Sequence, residues 1–152
     1  MKEGFASMLE KLMRQDKTIV LIVADTGWAI FHDMKKVFPD RCFNFGICEQ
    51  SVISIAAGMA LMGLKPYVYA ITSFLIERPF EQVKLDIVAN NANVKLISYF
   101  NNDSQGITHY TKDIEGLCRI LGLQYLNPQS LEEIEETIVG TYKIKKPCFV
   151  LF

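Results

Sequence analysis

The stretch Thr18–Ala24 reads TIVLIVA, a β-branched and aliphatic run without polar alternation. A strand that faces water on one side alternates apolar with polar. An unbroken run needs both faces covered, as in a parallel strand between two helical layers. Further strands are expected at Phe43–Phe45, Pro66–Ile71, Val94–Tyr99, Gln124–Leu126 and Cys148–Phe152. Helical spacing fills the intervals. Phe5, Met8, Leu9, Leu12 and Met13 mark an opening amphipathic helix, and a weak helix over His32–Val37 stops at Pro39. Gln50–Met62 is a small-residue helix closed by Gly63. Leu75–Asn90 reads as one helix, with Pro79 near its first turn. Lys112–Leu121 ends at Gly122. Ser130 with Glu133 forms a capping box for the helix that carries Leu131, Ile134, Ile138 and Val139.

Strands alternating with helices, without hairpin signals, define an α/β chain. The expected architecture is a three-layer αβα sandwich with a mostly parallel sheet of about six strands. At 152 residues, one domain spanning 1–152 accounts for the length.

Composition narrows the function. Half of the residues are hydrophobic, which excludes a disordered chain. A net charge of −1 offers little to nucleic acid or an anionic membrane, and neither is expected as a partner. No apolar run reaches the ~20 residues that span a bilayer. The N-terminal MKEGFASMLEKLMRQDK mixes charged with apolar residues and does not read as a signal peptide. Cys42, Cys48, Cys118 and Cys148 form no CxxC and no cluster with histidine. They are expected as reduced thiols of a cytoplasmic protein, with no metal site on this chain. GxGxxG, P-loop and GxSxG motifs are absent.

Ligands in parallel α/β folds gather at the carboxyl ends of the strands. Asp25, Gly46 to Glu49, Thr72 to Phe74 and the loop from Phe100 to His109 all fall there. Glu49 follows a glycine turn at a helix start. It is either a carboxylate favoured by the helix dipole or an acid able to share a proton with a ligand nitrogen. His109 is either a surface histidine or a site residue, and His32 beside Asp33 has less support. Phe74 is either core or a stacking platform at a pocket rim. Asp25 either binds a ligand or caps the next helix.

Arg41, Phe43, Gly46, Ile47, Glu49 and Gln50, followed by SIAAGMALMG, resemble the pyrimidine-binding domain of transketolases and their relatives. In that family an arginine and an aromatic strand precede G-I-x-E-Q and a small-residue helix ending in glycine. The resemblance continues through PYVYAITSFLIERPFEQVKLDIVANNANVKLIS, through Gly106, Thr108 and His109 (G-x-T-H in the family), and through the closing LNPQSLEEIEETIVGTYKIKKPCFVLF. It covers almost the whole chain.

The resemblance implies thiamine diphosphate as cofactor. Glu49 matches the glutamate that hydrogen-bonds N1′ of the aminopyrimidine and favours the imino tautomer, which activates the thiazolium carbon. Phe74 matches the aromatic stacked on that ring, and Asp25 falls at the polar turn after the first strand. His109 matches a histidine near the substrate. Glu49 and His109 are thereby the implied catalytic residues, and Glu49, Phe74 and Asp25 the implied cofactor contacts.

Two departures shape the expectation. The family holds the diphosphate and Mg²⁺ with a G-D-G…N motif on a separate domain, and no G-D-G occurs here. A companion chain or a further segment would hold them. Relatives often carry T-H-x-G ahead of a longer glycine-rich loop, where this chain has Tyr99-Phe100-Asn101-Asn102. Phenylalanine neither donates a hydrogen bond nor moves a proton, which points towards a modified substrate or another acceptor.

The expected protein is one subunit or fragment of a split transketolase-like enzyme that transfers a two-carbon ketol unit between sugar phosphates. Alternatives are a 1-deoxyxylulose-5-phosphate synthase-like or 2-oxoacid-decarboxylating system, and a non-catalytic scaffold. A homodimer, or a heterotetramer with the companion, is expected. An apolar surface near the small-residue helix from Ala56 to Ala60 is the natural contact.

Overall fold

The computed structural model describes residues Met1–Phe152. Six strands form one sheet: β1 (Ile19–Val23), β2 (Cys42–Asn44), β3 (Lys65–Ala70), β4 (Lys95–Ser98), β5 (Gln124–Leu126) and β6 (Cys148–Leu151). Their order is β2-β1-β3-β4-β6-β5, and every neighbouring pair is parallel. From β1 the chain first moves out to β2 and then crosses back to β3 on the other side. The carboxyl ends of β1 and β3 therefore flank a topological switch point, where such sheets open a crevice.

The sheet is buried on both faces, as TIVLIVA requires. Val20, Ile22, Val68, Ala70, Leu96 and Phe149 point into one core. Their alternates Ile19, Leu21, Val23, Tyr67, Tyr69, Ile97 and Val150 point into the other. The period of two along each strand assigns the side.

α1 (Lys2–Gln15), α2 (His32–Val37) and α7 (Leu131–Lys143) supply residues to the second core. α3 (Glu49–Leu61), α4 (Thr72–Ile76) and α6 (Ile114–Leu121) supply the first, together with α5 (Phe80–Gln82) and the π-helical segment Val83–Val88 that continues it. This is the three-layer αβα sandwich expected.

The capping box at Ser130 is met in detail. Ser130 Oγ accepts from the Glu133 N–H at 3.1 Å, and Glu133 Oε2 accepts in return from the Gln129 N–H at 2.7 Å. Asp113 Oδ1 accepts from the Gly116 N–H at 2.7 Å and opens α6. Arg41 turns out to be architectural. Its guanidinium donates to the carbonyls of Met13 (2.9 Å) and Asp16 (2.9 Å), which ties the end of α1 to the start of β2.

One expectation is corrected. Leu75–Asn90 is not one helix: α4 ends at Ile76 and α5 begins at Phe80. Pro79 lies too far into the segment to be a first-turn residue. It lacks the N–H that would continue the ladder, and its ring crowds the preceding turn. The helix stops before it and restarts after it. Within the small-residue helix, Ala56 and Ala57 are buried in the first core, Gly58 is exposed, and the exposed apolar residues of that region are Ile55, Leu61 and Met62.

Candidate active site

Asn44, at the end of β2, organises the crevice. Its side-chain oxygen accepts from the N–H of Asp25 (3.1 Å) and from the N–H of Gly46 (3.0 Å). One carboxamide thus joins the loop after β1 to the loop after β2. The second loop turns at Gly46, whose φ is +76°, and leads directly into α3. Cys48 occupies the N-cap position without a side-chain cap, and Glu49 is the first helical residue. The backbone N–H groups and dipole of the helix start favour a carboxylate there.

Glu49 is buried, with 8% of its side chain exposed. Its Oε1 accepts a hydrogen bond of 2.8 Å from Arg78 Nη1. The guanidinium carbon of Arg78 lies 3.6 Å from the centroid of the Phe74 ring. The His109 ring meets Phe74 edge-on, with centroids 5.1 Å apart and planes at 64°. Glu49, Arg78, Phe74 and His109 therefore form a continuous set, drawn from α3, the α4–α5 junction, α4 and the loop after β4. A cavity of about 390 Å³ opens beside Glu49, lined by Ile47, Cys48, Gln50, Ser51 and Arg78.

Hydrogen bonds at the β3 and β4 ends hold the platform still. The Thr72 hydroxyl shares a hydrogen bond of 2.6 Å with Ser98 and donates to the Phe100 carbonyl at 2.8 Å. Ser73 Oγ donates to the Thr108 carbonyl at 2.7 Å, which fixes the turn carrying His109 against α4. Asn101 closes the loop by a reciprocal pair with the Thr111 backbone (2.7 and 2.9 Å). Thr108 Oγ1 lies 2.9 Å from His109 Nδ1 and orients the imidazole. The expected polar loop from Phe100 to Thr111 contains two short 3₁₀ turns, Asp103–Gln105 and Ile107–His109. Phe100 takes part through its carbonyl, while its ring packs against the first core.

Three of the four expected site residues, Glu49, Phe74 and His109, come together. Asp25 does not join them. It is exposed, with a φ of +62°, and is held through its backbone. It does not cap the next helix with its side chain; its carbonyl accepts from the Trp28 N–H instead. His32 lies exposed beside Asp33, away from this set. Arg78 joins the site although it is not among the expected site residues. Its signal in the sequence is its place in the SFLIERPFEQV run, within the stretch that carries the family resemblance. No group of three or more His, Cys, Asp or Glu converges as a metal site, and no helix is long and apolar enough to cross a membrane.

A family profile described as "Transketolase, pyrimidine binding domain" matches residues 1–152. The chain belongs to this family. It is 41% identical over 137 residues to a subunit of the apulose-4-phosphate transketolase of Actinobacillus succinogenes, covering 87% of this chain and 44% of that protein. It is 35% identical over 142 residues to the 1-deoxy-D-xylulose-5-phosphate synthase of Halalkalibacterium halodurans, covering 88% of this chain and 22% of that one. Among solved structures, it superposes on a split-gene transketolase, described as an inactive beta4 tetramer, with a TM-score of 0.88 and 26% identity. The match covers 98% of this chain and 49% of that one. This transketolase pyrimidine-binding domain thus spans less than half the length of these relatives.

Proposed function

We propose that this chain is the pyrimidine-binding subunit or segment of a thiamine diphosphate-dependent, transketolase-like enzyme. One observation carries the reading: Glu49 and Phe74 converge on a single flat, nitrogen-bearing group, the guanidinium of Arg78. A buried carboxyl at the edge and an aromatic face below are what an aminopyrimidine requires, since it too is flat and meets an acceptor through a ring nitrogen. The residues present therefore fit that half of the cofactor. When bound, thiamine diphosphate supplies the nucleophilic carbon for moving a two-carbon ketol unit between sugar phosphates.

The chain's own part is to hold and polarise. Glu49, whose side chain is 8% exposed, would share a proton with N1′ of the ring. Phe74 sets the plane of the ring. His109, packed on the Phe74 edge and oriented by Thr108, faces the substrate side, and Asp25 contributes to the rim of the crevice. The diphosphate and Mg²⁺ belong to a companion chain or to a segment outside this one. Support comes from the split-gene relative of the same fold. The assembly is a homodimer or a heterotetramer with that companion, working in the cytoplasm.

The test is Glu49→Gln, which preserves shape and removes the acid. In a complex reconstituted with a chain bearing the diphosphate site, ketol transfer should fall by roughly a hundredfold or more, with the far-UV spectrum unchanged. Full activity would refute the assignment. A second reading is favoured by the synthase relative at 35% identity: condensation of a 2-oxoacid with an aldehyde phosphate. Assays with ketose phosphates and with pyruvate plus an aldehyde phosphate separate the two.

A further inference from the structure

Arg78 stands where the proposed cofactor ring would stand. We propose that Arg78 is a latch on that site: its guanidinium covers the Phe74 face and the Glu49 oxygen until an aminopyrimidine displaces it. The inference rests on the reading of Glu49 and Phe74 as the ring site.

The distances make the two occupants exclusive. The guanidinium carbon is 3.6 Å from the Phe74 centroid, a closed van der Waals contact. A further flat ring inserted between them would need about 7 Å, twice the contact distance of carbon atoms. The same guanidinium holds Glu49 Oε1 at 2.8 Å. Little of the platform is left to solvent: Phe74 is 6% exposed, and the His109 ring also packs against it.

The latch can open without moving the backbone. Arg78 is anchored by its N–H to the Ser73 carbonyl (3.0 Å), and its carbonyl accepts from Gln50 Nε2 (3.3 Å). Its side chain is 39% exposed, and the 390 Å³ cavity begins at the same residue. A side-chain rotation is therefore enough. The latch also keeps Glu49 from being buried without a partner. Only a ligand that both stacks and hydrogen-bonds replaces both lost contacts, so the latch discriminates against flat apolar molecules and against simple amines.

The test compares the wild-type chain with Arg78→Ala and Arg78→Lys, with Glu49→Gln and Phe74→Ala reporting on the ring site itself. The probes are 4-amino-2-methylpyrimidine and, in the complex reconstituted with a chain bearing the diphosphate site, thiamine diphosphate with Mg²⁺, titrated by calorimetry, with thermal melts confirming that each variant folds. Removing one ion pair and one cation–π contact should tighten binding in Arg78→Ala roughly five- to thirtyfold. Arg78→Lys keeps the charge but loses the planar fork, and should gain less. The ¹⁵N–¹H signal of Arg78 Nε in the wild-type chain should shift in step with saturation. Equal or weaker binding by Arg78→Ala, while Glu49→Gln and Phe74→Ala impair binding, would overturn the latch and leave the ring site standing. Binding indifferent to Glu49 and Phe74, or absent from wild type and variants alike, would overturn the ring site and the latch with it.

Discussion

Replacing Gly27 by alanine should cost the fold far more than the same change at Gly46. Both residues have positive φ, +82° and +76°. Each alanine therefore carries the left-handed penalty of about 1–2 kcal/mol. Their surroundings differ. A Cβ at Gly27 would lie 2.7 Å from Cε1 of Tyr69, whereas one at Gly46 meets nothing within 4 Å. Tyr69 has nowhere to go. It is fully buried, stacked on Phe5 (5.6 Å) and on Tyr99 (4.7 Å), with the edge of Phe31 against it at 4.8 Å. Forcing a methyl group against such a ring costs about 1–3 kcal/mol. The expected loss is about 2–5 kcal/mol for Gly27→Ala and about 1–2 kcal/mol for Gly46→Ala. Urea unfolding at constant m-value measures both. Equal losses would refute the packing argument and show that the aromatic stack yields. The comparison also bears on the site, because Gly27 closes the turn that carries Asp25.

Two further outcomes follow from polar groups far from the site. Asp16 accepts from Lys65 Nζ (2.6 Å), Thr18 Oγ1 (2.6 Å) and the Thr18 N–H (2.8 Å). Burial pushes its carboxyl up, but the hydrogen bonds from Lys65 and Thr18 and the Lys65 charge outweigh this and hold it well below the usual carboxylate range. Between the folded and unfolded values the unfolded chain binds the proton and the folded one does not, so stability rises with pH in that window. Asp16→Asn should therefore be less stable than wild type at neutral pH. In melts over a pH series the gap should narrow as pH falls below about 4; a gap independent of pH would contradict the assignment. Lys95 is 1% exposed, and its ammonium donates to the carbonyls of Ile144 (2.8 Å) and Lys146, pinning the α7–β6 loop. Lys95→Ala should lose roughly 2–4 kcal/mol in chemical denaturation, and a loss under about 1 kcal/mol would mean that the loop carbonyls find other donors.

Much of the fold is legible in the sequence because parallel strands have a one-dimensional signature. Val20 and Leu21 are apolar because each faces a different core, and that double burial is visible in the run of residues itself. Caps are legible for a similar reason. Ser130 reaches the backbone N–H of Glu133 three residues away, well inside the range that local spacing reports. The α4–α5 break is not legible in the same way. Pro79 tolerates a helix only at its first turn, and where that turn lies depends on how the end of β3 feeds α4. The inward face of Ala56 and Ala57 is equally hidden, because small residues suit a core as well as a contact between subunits.

Glu49 shows the boundary between the two kinds of information. Sequence alone placed it after a glycine turn at a helix start and, through the surrounding motif, tied it to an aminopyrimidine. Its neighbours were beyond reach of any local pattern. Arg78 arrives from 29 residues away, beyond the whole of α3 and β3, and Phe74 and His109 meet where Ser73 fastens the turn after β4 to α4. Hydrophobic period and turn chemistry act over a few residues, and they determined the elements. Strand order and the switch point between β1 and β3 act over the whole chain, and they decided which loop ends share a crevice.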